Sequence, residues 1–249
     1  MAKKPGRAGK TGKPRGNSGR GDGARMMATR VKTASGRKVG STLWLQRQLN
    51  DPYVLKAQAD GYRSRAAYKL VELDDRFGFL KPGMRIADLG AAPGGWTQVA
   101  AQRTGAISGK SPPIIGMDIQ EMDPIEGAEL MLLDIFAEDA IPLIQAALGG
   151  EADIVLSDMA PSTTGHKNTD QIRIAGLAEA AYDVAKQLLA DDGIFIVKVF
   201  QGGAPPDLLA ELKRDFRQVR HVKPPASRQG SPEMYLVATG YRGVRPALG

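Results

Sequence analysis

Short apolar runs alternate with amphipathic stretches along most of this chain. The runs fall at residues 86–89, 114–118, 129–134, 152–158 and 193–200. Their length, and the Gly, Pro and polar residues that bound them, predict buried β-strands. Between them lie stretches of helical period: one opening at Trp96, then 138–148, 170–189 and 207–216. Two further strands are expected at 218–223 and 234–238, on either side of the loop Pro224-Pro225-Ala226-Ser227-Arg228. Strand–helix alternation that ends in two successive strands predicts an α/β fold. Its doubly wound sheet has about seven strands, mostly parallel, and closes with a terminal antiparallel hairpin. Ahead of the sheet, residues 54–77 are helix-permissive and follow a turn or helix start at Asp51-Pro52-Tyr53; another helix start, with Ser41 as a cap, is expected at 41–47.

Acids recur where the strands end. Asp88, Asp118, Asp134 and Asp158 each close an apolar run. In an open parallel sheet these positions lie along one edge, where such folds bind ligands. The first run leads into Asp88-Leu89-Gly90-Ala91-Ala92-Pro93-Gly94-Gly95-Trp96. This small-residue loop between strand and helix allows close backbone approach to a ligand. It is not G-x-G-x-x-G, and it lacks a Walker Lys-Ser/Thr pair. An acid before the first glycine suits a ligand with positive charge and hydrogen-bond donors, as in S-adenosylmethionine. An acid ending the second strand suits a ribose diol. In the fifth run, Lys198 interrupts Ile194-Phe195-Ile196-Val197-Lys198-Val199-Phe200. An ammonium there must reach a cleft or pair with a carboxylate.

Composition removes other chemistries. The 249-residue chain has no cysteine and two histidines, His166 and His221. Cysteine nucleophiles, Cys-ligated zinc and multi-histidine metal sites are therefore not expected. No metal is expected in the site. Neither a membrane-spanning run nor the apolar centre of a signal peptide is present. The net charge of +7 is unevenly placed. Residues 1–40 carry twelve Lys or Arg and one acid, Asp22, which leaves the remaining residues at −4. With almost no large apolar residues, 1–40 is expected to be a disordered basic tail with affinity for phosphates. Arg47, Lys56, Arg63, Arg65 and Lys69, interleaved with Trp44, Tyr53, Tyr62 and Tyr68, suggest a nucleic-acid face, although on these residues alone a solvated helix face fits better. Lys213, Arg214, Arg217, Arg220, Lys223 and Arg228 concentrate further positive charge late in the chain.

Four motifs in order carry a resemblance. They are the Asp88–Trp96 loop just quoted, Ser157-Asp158-Met159-Ala160-Pro161, Val197-Lys198-Val199-Phe200 and Ser231-Pro232-Glu233-Met234-Tyr235. Ahead of them stands Gly61-Tyr62-Arg63-Ser64-Arg65-Ala66-Ala67-Tyr68-Lys69-Leu70. Over roughly residues 41–242 the chain resembles the FtsJ/RlmE family of ribosomal RNA 2′-O-ribose methyltransferases. The resemblance implies a Rossmann-like class I methyltransferase fold in one domain, 41–249, with S-adenosylmethionine as cofactor. It also implies a catalytic tetrad of Lys69, Asp158, Lys198 and Glu233. Gly94, Trp96, Asp118, Asp134 and Asp158 match the family's cofactor-binding positions, with Asp118 toward the ribose hydroxyls, Asp134 toward adenine and Asp158 toward the methionine end. The implied acceptor is a uridine 2′-hydroxyl in the A-loop of 23S ribosomal RNA on the 50S subunit.

The chemistry fits those residue types. A 2′-hydroxyl needs its proton withdrawn, whereas a sulfonium methyl is already activated. Lysine is a poor base at its usual pKa of ~10.4, and burial beside a second lysine would lower it. Lys198 is therefore expected to be the base. Asp158 and Glu233 would orient it, while Lys69 lowers its pKa and steers the hydroxyl. Asp158-Met159-Ala160-Pro161 lacks the Pro-Pro-aromatic platform common in enzymes that methylate exocyclic amines, which favours oxygen as the target. A monomeric, cytoplasmic enzyme without membrane partners is expected. The alternatives are 2′-O-methylation of transfer RNA and a non-catalytic ribosome-assembly factor.

Overall fold

The computed structural model describes residues 1, 49–161, 164–202 and 205–243. The expected tail, the helix start at 41–47 and the residues Trp44 and Arg47 lie outside the described residues. Except for Met1, the described residues belong to one compact unit, Arg47–Gly249.

The helix-permissive stretch 54–77 is two helices, not one. Helix α1 (Pro52–Ala59) starts at Asp51, whose side chain accepts the Tyr53 amide hydrogen bond at 3.1 Å, with Pro52 in the first helical position. Gly61, at φ 76°, breaks the path, and α2 runs Ala67–Phe77 to a left-handed Gly78. The sheet follows. Its strands are β1 (Ile86–Leu89), β2 (Ile114–Asp118), β3 (Ala128–Leu132), β4 (Ala152–Ser157), β5 (Leu189–Phe200), β6 (Phe216–Val222) and β7 (Glu233–Tyr241). Its helices are α3 (Gly95–Thr104), α4 (Ala140–Leu148), α5 (Lys167–Leu188) and α6 (Pro206–Asp215), with a short 3-10 turn at Ala106–Ser108 between α3 and β2.

Among the described residues the sheet has seven strands in the order β3-β2-β1-β4-β5-β7-β6. Strands β1 to β5 pair in parallel, and β7 pairs antiparallel with both β5 and β6. The expected sheet is therefore the observed one. Strand β5 is longer than its apolar run because a register irregularity lets Leu189 pair with Ala152 ahead of the main ladder.

Two cores flank the sheet. One holds Val155, Phe195, Val197 and Leu236 under the small-residue stripe Ala178, Ala181 and Ala185 of α5, with Tyr182 packed on Phe195 at 5.6 Å between ring centres. The other holds Ile86, Ile154, Ile196, Tyr235 and Val237 under Leu70, Leu73, Trp96 and Val99 of α2 and α3. Burial on both faces is why the central strands read as continuous apolar runs. The chain order reverses at β1, which lies between β2 and β4. That reversal opens a crevice at the carboxyl ends of the strands.

Asp88 closes the base of that crevice. It is 1% exposed, and one oxygen accepts from the Thr97 hydroxyl on α3 at 2.7 Å. The other oxygen is buried with no hydrogen-bond partner. Burial, set against the Thr97 bond but reinforced by the nearby charges of Asp158 and Asp118, pushes the Asp88 carboxyl up to about 7. A carboxyl raised on folding loses stability as pH climbs from its unfolded value toward its folded one, and the cost is complete above about 7. Asp88→Asn is therefore expected to be more stable than wild type at pH 8, on the order of 4 kcal/mol before relaxation, with the gap closing by about pH 4. Urea denaturation across this range measures it; a gap that does not change with pH would show that Asp88 does not titrate this way.

Candidate active site

The strands bring the four sequence-predicted catalytic residues together from four elements. Lys69 lies on α2, Asp158 directly after β4, Lys198 on β5 and Glu233 at the start of β7. In the β5–β7 ladder Lys198 pairs with Tyr235 and Phe200 with Glu233. With a side-chain period of two, Lys198, Tyr235 and Glu233 share one face, the face covered by α2 and Lys69.

Asp158 is the hub. Its Oδ1 accepts from Lys198 Nζ at 2.9 Å, and its backbone carbonyl accepts from the same nitrogen at 2.5 Å. Its Oδ2 lies 3.5 Å from Lys69 Nζ. Lys69 also donates to Glu233 Oε2 at 2.7 Å. Glu233 thus orients Lys69, not Lys198, where the sequence suggested that both acids would hold Lys198. The two lysines sit on opposite oxygens of one carboxylate. Burial works to raise the Asp158 carboxyl, but the Lys198 and Lys69 ammonium charges and the bonds from Tyr235 and Lys198 outweigh it and hold the group below its ordinary value.

Sequence reasoning missed two residues here. The Tyr235 hydroxyl donates to Asp158 Oδ1 at 2.6 Å. Burial, followed by the Asp158 and Glu233 charges, raises the phenol well above its usual pKa, so it remains a donor. Ser227 Oγ donates to Glu233 Oε1 at 2.7 Å from the β6–β7 loop. Tyr235 could have been found, because it is two residues from Glu233 in a strand and must share its face. Ser227 carries no such signal.

A cavity of about 660 Å³ opens beside this cluster. Asp118, Asp134 and Asp158 line it with Gly90, Ala92, Met117, Ile119, Phe136 and Met159. Asp118 is fixed by the Ala92 and Gln120 amides, both at 2.9 Å, and Asp134 by the Phe136 amide at 3.0 Å. The remaining expected cofactor positions do not line this cavity. Trp96 is buried, donates to the Ala66 carbonyl at 2.9 Å and packs on Tyr235 at 5.4 Å between ring centres. Gly94, at φ 107°, turns the loop into α3; a Cβ there would meet Ile125 at 2.4 Å. The glycine pair thus admits other parts of the protein, since a Cβ on Gly95 would meet Ser64 Oγ at 2.6 Å. Asp88, read from sequence as facing the ligand, is turned inward to Thr97.

The basic residues divide. Lys56 stacks on the Tyr68 ring at 4.4 Å, and the hydroxyls of Tyr53, Tyr62 and Tyr68 are bound to Glu72, Gln102 and Asp60. The three rings pack on one another, Tyr53 and Tyr62 each against Tyr68, at 5.6 and 5.5 Å between ring centres. Arg214 is paired with Asp215 and Arg217 with Asp192, at the opposite end of β6 from Val222 and the tetrad. Arg220 lies over Phe77. Arg65, Lys223 and Arg228 instead line a second cleft of about 870 Å³ with Asp51, Tyr53 and Ser227. Asp51 bridges Arg65 and Arg228 at 3.0 and 3.1 Å.

The model of the FtsJ-like methyltransferase family matches residues 62–241. A protein of Paramagnetospirillum magneticum named ribosomal RNA large subunit methyltransferase E is 57% identical over 227 residues, 91% of this chain and 93% of its own length. One of the same name in Rhodospirillum rubrum is 56% identical over 223 residues, 89% of this chain and 84% of its own. Among solved structures, a protein of Plasmodium falciparum described as a ribosomal RNA methyltransferase aligns with a TM-score of 0.64 at 33% identity, covering 73% of this chain and all of that one. The family model spans most of the folded domain and the relatives share more than half of their residues with it, and the chain belongs to the FtsJ-like methyltransferase family.

Proposed function

We propose that this chain transfers a methyl group from S-adenosylmethionine to a ribose 2′-hydroxyl of large-subunit ribosomal RNA, a uridine of the 23S A-loop on the 50S subunit. The observation that carries the reading is the double position of Asp158. It lines the cavity and bonds both lysines. Whatever fills the cavity therefore abuts the polar cluster.

The cavity suits the cofactor. Its volume lies in the range of small-molecule sites, and three carboxylates among apolar walls match a ligand with cationic and hydroxyl groups at intervals along an apolar body. Asp118 would take the ribose hydroxyls, Asp134 the adenine edge and Asp158 the cationic end. When bound, S-adenosylmethionine supplies a methyl group on a positive sulfur, an electrophile that needs no metal.

The chain supplies alignment and a place for the proton. Two of the positions around Lys198 Nζ are committed to Asp158, which leaves one for the 2′-hydroxyl. In the neutral form Lys198 accepts the hydroxyl proton as oxygen attacks, and the proton remains on Nζ until water removes it. Lys69, fixed by Glu233 and in turn by Ser227, is placed to donate to the same oxygen and hold it in line. Asp158 stays ionised beside both, with the Lys69 ammonium as its counter-charge and the Tyr235 hydroxyl as a further donor.

Two outcomes test the reading. Lys198→Ala should lower turnover at least about 100-fold while leaving cofactor affinity nearly unchanged, since the base acts only on the acceptor. Asp158 keeps Lys69 and Tyr235 as partners in that variant, so folding should survive. Retained turnover would take Lys198 out of the base role. Methyl incorporation into 50S subunits lacking the modification, free 23S RNA and bulk transfer RNA, side by side, tests the acceptor. Alkali-stable 2′-O-methyl label on the 50S subunit is expected. Label on transfer RNA would move the assignment to that substrate, and cofactor binding without label on any RNA would point to a role in assembly.

A further inference from the structure

Arg63 does not face solvent as a free cation. It sits in the linker between α1 and α2, half-buried, and its guanidinium donates to three backbone carbonyls. Nη1 reaches Asp123 at 2.8 Å and Pro93 at 3.3 Å, and Nη2 reaches Pro124 at 2.7 Å. Its backbone amide donates to Gln98 Oε1 of α3 at 2.8 Å. Pro93 belongs to the β1–α3 loop, and Asp123 and Pro124 belong to the β2–β3 loop.

Those two loops form adjoining walls of the 660 Å³ cavity through Ala92 on one side and Asp118 on the other. On the cavity side the β1–α3 loop is tied to the end of β2, by the Gly90 and Ala91 amides on the Met117 carbonyl at 2.9 and 3.0 Å and by the Ala92 amide on Asp118 Oδ2 at 2.9 Å, but no bond there reaches Asp123 or Pro124 farther along the β2–β3 loop among the described residues. Arg63 joins the same loops through Pro93, Asp123 and Pro124, none of which lines the cavity. Carbonyl oxygens brought together this way repel one another unless a donor lies between them. A planar fork of N–H groups can serve three at once, and an ammonium on a flexible stem cannot hold the same geometry. Gly94, whose added Cβ would lie 3.2 Å from Arg63 Nη1, lets the guanidinium settle against the loop.

We propose that Arg63 is a positioning residue for the cofactor cavity: its guanidinium sets the spacing of the two loops and so the placement of Ala92 and Asp118, and it does not serve as a phosphate contact for RNA. The proposal rests on the reading that this cavity takes S-adenosylmethionine.

Calorimetric titration of the full chain with S-adenosylhomocysteine, paired with RNA binding at saturating S-adenosylhomocysteine, tests it. Arg63→Ala should weaken S-adenosylhomocysteine binding about tenfold or more, the scale of one or two charge-assisted hydrogen bonds. Arg63→Lys keeps the charge and loses the fork, so it should recover little of that affinity. RNA affinity should stay within about twofold of wild type in both variants, below the cost of a lost phosphate contact. If Arg63→Ala does not fold, Arg63→Lys carries the test alone. Unchanged S-adenosylhomocysteine affinity in the variants would overturn the proposal. So would RNA affinity lost with alanine and restored with lysine, the signature of a phosphate contact. Failure of the wild-type chain to bind S-adenosylhomocysteine would instead sink the reading of the cavity itself.

Discussion

A single carboxylate shared by two ammonium groups sets the terms for the rest of this site. Burial alone would raise the Asp158 carboxyl, because it disfavours an unpaired charge, and the two lysines beside it reverse that. Together with Glu233 they form a balanced set of two positive and two negative groups, held by bonds of 2.7–2.9 Å and completed by the Tyr235 hydroxyl. Such a cluster contributes little net stability, since desolvation consumes most of its Coulombic gain. What it fixes is geometry. A lysine with two bonds to one residue has lost the rotamer freedom that an exposed lysine keeps, and its remaining position has a defined direction.

That geometry depends on the sheet more than on any helix. Asp158 directly follows β4, Lys198 stands on the neighbouring parallel strand β5 and Glu233 on the antiparallel strand beyond, so backbone ladders set their spacing. Lys69 is the exception, and its helix is anchored accordingly. The Ala66 carbonyl accepts from Trp96, and Glu72 accepts from both the Tyr53 hydroxyl and the Ala226 amide. Arg65 reaches the Ala226 carbonyl at 2.7 Å from the linker. Helix α2 and the β6–β7 loop are thus bound to each other on either side of the Lys69–Glu233 pair. A helix that slid along the sheet would have to break all of these bonds together.

The fold was legible because its central strands are buried on both faces, and such strands announce themselves as uninterrupted apolar runs. Lys198 was legible by the same logic, as a charge where none should be buried alone. Grouping it with Lys69, Asp158 and Glu233 came from the resemblance, since the pattern of runs does not reveal which strand ends meet. Other features lay beyond a one-dimensional reading. The helical period runs through 54–77 without a gap, and the break depends on the positive φ at Gly61. Asp88 lies near the end of its strand as Asp118 does, yet Thr97 in the first turn of the next helix draws it inward. The glycine pair signals close approach without naming what approaches; Ile125 and Ser64 do.

Charge was the least legible property, for a physical reason. A list of Lys and Arg counts cations but not their commitments. Arg63 is committed to three carbonyls, Arg65 and Arg228 share Asp51, and Lys223 caps the Ser231 carbonyl of its own loop at 2.7 Å. The basic residues on β6 are split by strand direction, with Lys223 following its cleft end and Arg217 beginning its far end. Residues 41–249 sum to −4, whereas the first 40 carry the positive excess. Long-range attraction for a polyanion follows net charge and weakens with salt, whereas placement of one ribose follows a few fixed donors. In this chain the net positive charge lies in residues 1–40, whereas Arg63, Arg65 and Arg228 hold loops of the folded domain in place through named carbonyls and Asp51.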